Sequence, residues 1–161
     1  MKDLCITTTI HRYQWDELSE QQQVLIEEAK LMTRNSYSPY SHFRVGAAVR
    51  LKDGTIVRGS NQENAAYPSG LCAERTALFA ANSNYPDQPV EALAIACYAE
   101  GKFTSEPGAP CAGCRQVMLE TEHRYGQPIQ VLLYGQDVTY VIDSVDELVP
   151  LGFFAEDLPK H

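Results

Sequence analysis

The sequence predicts a single α/β domain of three layers, with helices on both faces of a largely covered sheet. Three observations predict it. Helix-like and strand-like patterns alternate along the chain. Residues 90–98 are almost continuously apolar, as in a strand buried on both faces. A length of 161 residues, 44% of them apolar, supports one core without disulfide staples.

The elements follow in order. Residues 1–18 carry weak signals and read as an N-terminal extension; 19–161 read as one domain. Ser19 and Gln22 form a capping-box pattern. Val24, Leu25, Ala29 and Met32 then recur at helical spacing, predicting an amphipathic helix over roughly 20–34. The segment Asn35-Ser36-Tyr37-Ser38-Pro39-Tyr40 breaks it. Residues 45–51 and 55–57 read as strands joined at Asp53-Gly54, a strong hairpin signal. After the Pro68-Ser69-Gly70 loop comes a helix over about 72–81, then the apolar strand 90–98. A loop with Gly and Pro spans 101–110, and a helix spans about 112–123. Residues 129–134 and 138–142 are strands around a Gly135-Gln136-Asp137 turn. A second capping-box pattern, Ser144 with Glu147, predicts a short helix that Pro150 ends. Five strands result.

Composition excludes several function classes. Lys and Arg number 13 against 21 Asp and Glu, for a formal net charge of -8. Phosphate polymers and anionic membranes reward clustered cations, so neither is expected as a partner. No segment nears the roughly 18 apolar residues that would span a bilayer. The first residues lack the apolar core of a signal peptide, which makes the cytoplasm the expected compartment.

Five cysteines, Cys5, Cys72, Cys97, Cys111 and Cys114, are an odd number and fit a disulfide framework poorly. Cys72-Ala73-Glu74-Arg75 and Pro110-Cys111-Ala112-Gly113-Cys114 each open a predicted helix. A helix N-terminus offers free N–H groups and partial positive charge, which favour the thiolate, the metal-binding form. Cys111 and Cys114 lie one helical turn apart, and Cys72 supplies a third sulfur. Three ligands leave one tetrahedral position of Zn²⁺ open, as in catalytic sites. Arg75, three residues after Cys72, is placed to donate to the sulfurs and offset their charge. Glu74 is placed to carry a proton between water and a substrate nitrogen. Cys97 reads as a core thiol and Cys5 as incidental. His11, His42, His123 and His161 lack metal spacing.

Together with these segments, Phe43-Arg44-Val45-Gly46-Ala47-Ala48, Asn61-Gln62-Glu63-Asn64-Ala65-Ala66-Tyr67 and Arg115-Gln116-Val117 resemble the cytidine deaminase family. The likeness covers roughly 22–158. It implies an α/β/α sandwich around a mixed five-stranded sheet, with residues 19–161 as its catalytic domain. It implies hydrolysis of cytidine and deoxycytidine to uridine and deoxyuridine with loss of ammonia, by zinc-activated water. Cys72, Cys111 and Cys114 are then the zinc ligands and Glu74 the proton shuttle. Asn61 and Glu63 correspond to residues that hold the ribose 3′-hydroxyl, and Phe43 to an aromatic against the pyrimidine. Ala65 and Tyr67 correspond to residues at the 5′ end, and the Ala73 N–H would meet the pyrimidine carbonyl. The family has a long dimeric form with His first and a short homotetrameric form with three Cys. Cys72 and the chain length match the short form, in which a C-terminal Phe, here Phe153, reaches a neighbouring subunit's site. Three departures are visible: Ala112-Gly113 stands where Gly-Ala is frequent, Ala109 where Ser or Thr is frequent, and the 99–109 loop at the rim of the pocket is somewhat long. The competing readings are a deaminase of a cytosine nucleoside antibiotic such as blasticidin S, a nucleic-acid editing deaminase disfavoured by the charge, and a non-catalytic zinc-binding protein.

Overall fold

The computed structural model describes residues 1–159, so His161 lies outside the described residues. The elements are β1 (His11–Tyr13), α1 (Glu20–Met32), β2 (Arg44–Leu51), β3 (Ile56–Ser60), α2 (Ala73–Asn84) and β4 (Val90–Ala99). They continue with β5 (Lys102–Phe103), α3 (Ala112–Tyr125), β6 (Gln130–Tyr134) and β7 (Thr139–Ile142). The sheet has seven strands, not five, in the order β1-β7-β6-β4-β2-β3, with β5 paired to β4. Among the described residues β4 and β6 are the one parallel strand pair, so the sheet is mixed.

The two unforeseen strands are three and two residues long, too short for an alternation to register. β1 pairs with β7, so part of the N-terminal extension lies in the sheet. β5 returns from β4 through Glu100 and Gly101, whose φ values of 53° and 82° suit a two-residue hairpin turn. The Asp53-Gly54 hairpin forms as expected. Gly54 takes φ 88°, and the Asp53 carboxylate accepts from the Thr55 N–H.

Capping chemistry sets the helix ends. Ser19 and Gln22 form the reciprocal capping box of α1. At the second predicted box, Ser144 accepts from the Asp146 N–H, but the Glu147 carboxylate accepts from the Thr9 N–H of the extension. With only half its box, the segment forms a 3₁₀ turn, Val145–Leu148, in place of an α-helix.

β4 divides the core. Its Ala92, Ala94 and Ala96 face α1, whereas Leu93, Ile95 and Cys97 face α2 and α3. The small-residue face lets α1 approach closely. A Cβ at Gly46 would lie 2.0 Å from the Ala29 carbonyl oxygen. Leu78 of α2 and Leu93 are fully buried on the other face, each stabilising by about 1.5–3 kcal/mol. The extension is tied to the α1 face by aromatic packing. Lys30 Nζ, paired with Glu27, lies 5.4, 5.3 and 4.9 Å from the ring centroids of Trp15, Phe103 and Tyr134. Among the described residues, no helix is long and apolar enough to cross a membrane.

Candidate active site

Close backbone approach fixes α2. A Cβ at Gly59 of β3 would lie 2.5 Å from Ala77 N and 2.6 Å from Ala73 O, so only glycine lets the first turn of α2 sit on the strand. Cys72 is the N-cap of α2 and Cys111 the N-cap of α3, both extended, with φ/ψ of -70°/153° and -67°/164°. Neither side chain caps its helix. The entry to α3 is held by Arg115, which donates to the Pro110 and Leu148 carbonyls at 2.9 and 3.2 Å.

The two N-termini bring three sulfurs together. Cys72 Sγ is 3.8 Å from Cys111 Sγ, and Cys111 Sγ is 3.4 Å from Cys114 Sγ. Sulfurs about 2.3 Å from a tetrahedral zinc lie roughly 3.8 Å apart, so the donor set fits that ion with little movement. Cys114 is buried, Cys72 half-buried and Cys111 exposed. Arg75 Nη2 donates to Cys72 Sγ at 3.7 Å, which raises the pKa of the guanidinium further. The Cys72 thiol is pushed down to about 5, first by the hydrogen bond from the Cys114 thiol and then by Arg75 and Cys111, against the effect of burial. Cys114, the donor in that pair and itself desolvated, is pushed up. Cys97 behaves differently. Burial pushes its thiol up to about 12, as for a neutral core group.

Glu74 is 5% exposed. Desolvation raises its pKa, and the Cys72 charge adds to the effect; its own N–H, the Cys114 thiol and Arg75 oppose it. A carboxyl so placed holds and releases a proton nearer neutrality than a solvated one.

A cleft of ≈ 550 Å³ leads to this cluster, lined among others by Ser41, Asn61, Glu63, Tyr67, Cys72 and Arg75. The structure thus brings Asn61, Glu63 and Tyr67 beside Cys72 and Arg75. Ala73 is buried as the first residue of α2. Phe43 is 39% exposed and lies beside the lining residues, with its carbonyl accepting from Asn61 Nδ2 at 2.9 Å. Ala65 is exposed, between the lining residues Asn64 and Tyr67. Phe153 stands apart. It is 58% exposed and lines a separate small cavity with Leu119 and His123, its carbonyl accepting from Gln116 Nε2. Sequence reasoning missed Tyr40, read only as the end of a helix-breaking segment, and its neighbour Ser41, both of which line the cleft. Tyr40 packs edge-on against Tyr67, with ring centroids 6.1 Å apart.

Three convergent thiols at two helix N-termini, with a buried carboxyl beside them on one face of a mixed sheet, define a zinc-dependent hydrolytic enzyme. Residues 19–125 match the model of the cytidine and deoxycytidylate deaminase zinc-binding region, and the chain belongs to that family. A cytidine deaminase of Halalkalibacterium halodurans is 43% identical over 138 residues, covering 84% of this chain and 96% of that one. One of Sporosarcina psychrophila is 40% identical over 134 residues, covering 83% and 92%. The crystal structure of cytidine deaminase from Burkholderia pseudomallei superposes with a TM-score of 0.68 at 39% identity, covering 84% of this chain and all of that one. The cofactor is zinc, in keeping with both the family and the sulfur cluster.

Proposed function

We propose that the chain hydrolyses cytidine and deoxycytidine to uridine and deoxyuridine with release of ammonia, in pyrimidine salvage. The observation that carries this is the buried Glu74 carboxyl beside three converging sulfurs, one of which, Cys72, lines the cleft. Cys72, Cys111 and Cys114 hold the zinc. When bound, it lowers the pKa of water from 15.7 to about 7 and so makes a nucleophile available at neutral pH.

The chain's own residues do the rest. Asn61 and Glu63, at the cleft wall, hold the ribose 3′-hydroxyl. Tyr67 and Ala65 lie toward the 5′ end, Phe43 packs on the pyrimidine, and the Ala73 N–H donates to its carbonyl. Glu74 takes a proton from water as oxygen bonds to C4, and gives it to N3. It then passes the second proton to the exocyclic amine as the C4–N bond breaks, so water and cytidine leave as uridine and ammonia. Arg75 offsets the negative charge of the thiolates through its contact with Cys72.

The enzyme is a cytoplasmic homotetramer with sites at subunit interfaces. Five free cysteines favour a reducing compartment. Near-complete coverage of the two bacterial relatives supports the short-chain form. Exposed Phe43, Tyr67, Phe79 and Phe153 provide apolar surface for association, and Phe153, outside its own chain's cleft, is free to enter a neighbour's. The test is to incubate zinc-loaded protein with cytidine, deoxycytidine and blasticidin S and follow loss of the cytosine absorbance. Turnover of the two nucleosides is expected; turnover of the antibiotic alone would overturn the reading.

A further inference from the structure

Between α1 and β2, residues 36–43 are strapped to residues 61–63. The backbone bonds Tyr37 N to Asn61 O and Glu63 N to Tyr37 O, at 3.0 and 2.8 Å, join the two segments. The side chains of Asn61 and Glu63 complete the strap. Asn61 Oδ1 accepts from the Ser36 hydroxyl and the Val45 N–H at 2.5 and 2.8 Å, and its Nδ2 donates to the Phe43 carbonyl. Glu63 Oε2 accepts from the Tyr40 and Ser41 N–H groups at 2.8 and 3.3 Å, and Oε1 accepts from the Ser41 hydroxyl. That hydroxyl also accepts from the Phe43 N–H at 3.1 Å. His42, between them, takes φ 55°, the left-handed turn that folds Phe43 back onto Ser41.

The remaining hydrogen-bonding capacity can be counted. An amide oxygen has two lone pairs and an amide nitrogen two hydrogens; a carboxylate offers about four acceptor positions. Asn61 Oδ1 is saturated, and Nδ2 keeps one free hydrogen. Glu63 Oε2 is saturated, and Oε1 keeps one free position because Ser41 fills the other. Among the described residues, the strapped pair, which lines the cleft, therefore keeps one donor and one acceptor, the complement of a single hydroxyl group.

We infer that Ser41 is a positioning residue for substrate specificity: its hydroxyl fixes the Glu63 carboxylate and leaves it one acceptor, so that Asn61 and Glu63 together read one sugar hydroxyl. This rests on the reading that Glu63 meets the 3′-hydroxyl of the nucleoside. Without the Ser41 hydroxyl the Glu63 carboxylate loses one of its two anchored oxygens, and the match to that hydroxyl loosens.

The test compares Ser41→Ala with wild type on cytidine and on 3′-deoxycytidine, which lacks the hydroxyl. Wild-type turnover of cytidine checks the underlying reading independently of the variant. Ser41→Ala is expected to raise KM for cytidine by roughly ten- to 150-fold, the range for a hydrogen bond to a charged group. Its kcat should stay within about three-fold, and kcat/KM for 3′-deoxycytidine should match wild type. Ser41→Thr, which keeps the hydroxyl, should restore KM. Ser41→Ala combined with Glu63→Gln should be no worse than Glu63→Gln alone. An equal loss on both substrates, no loss on either, or additive losses in the double variant would overturn the proposal.

Discussion

Two glutamates, Glu74 and Glu122, are buried to the same 5% exposure, at opposite ends of the α2/α3 layer, and their surroundings differ completely. Glu122, near the C-terminal end of α3, accepts from the Ile129 N–H at 2.7 Å, the Val145 N–H at 2.9 Å and the Ser144 hydroxyl at 2.7 Å. It ties α3 to the start of β6 and to the 3₁₀ turn after β7. Glu74, near the N-terminal ends of α2 and α3, is influenced instead by its own N–H and by the sulfur and guanidinium groups of the cluster. Burial is common to both, so burial does not mark function. What distinguishes Glu74, the proposed proton carrier, is that among the described residues no backbone N–H from another element donates to it.

The contrast can be broken at either end of α3. The largest effect is expected at the sulfur end. Cys114→Ala should lower zinc retention and turnover by more than the roughly 10–100-fold seen when groups behind the ligands are changed. Metal analysis of the purified protein reads the first, cytidine hydrolysis the second. At the other end, Glu122→Ala leaves two buried N–H groups without an acceptor. At about 1–3 kcal/mol each, stability should fall by roughly 2–6 kcal/mol in denaturant titration. The folded fraction should keep its zinc. A loss below about 1 kcal/mol would mean that Glu122 does not hold the fold as described.

Sequence patterning revealed the groups whose chemistry is local. The paired cysteines, Glu74 and the Asp53-Gly54 turn each announce themselves within a few residues. Glu122 carries no such sign, because its partners Ile129, Ser144 and Val145 meet it only after α3, β6 and β7 have packed. Ser41 was hidden for the same reason: its acceptor, Glu63, lies across the loop. β1 and β5 were hidden by length. At the second capping box, a partner from the extension diverts Glu147, which no local pattern could reveal.

The opposite face of β4 sharpens the contrast at smaller scale, since its charged groups are paired for structure. Trp15→Ala removes one ring from the cluster around Lys30 and should lower stability by about 0.5–2 kcal/mol, read from the unfolding midpoint. Turnover per bound zinc should not change. Smaller still is the pair of Glu28 with Arg58, whose side chains are 22% and 44% exposed. The Arg58 hydrogen bond lowers the Glu28 pKa from its ordinary 4.5. A depressed carboxyl stabilises the fold above its unfolded pKa and loses that contribution as pH falls through the folded value. Wild type should therefore exceed Glu28→Gln by less than about 1 kcal/mol at neutral pH, and the difference should vanish in acid; a gap that widens in acid has the wrong sign.

The most direct test measures zinc content, melting temperature and cytidine hydrolysis on one preparation of Glu74→Gln. The amide keeps the shape of the carboxyl and cannot shuttle a proton. Zinc per chain and melting temperature should match wild type while turnover falls by about 10²–10⁴-fold. Turnover within tenfold of wild type at full zinc occupancy, or loss of zinc along with activity, would contradict the assignment of Glu74 as the proton carrier.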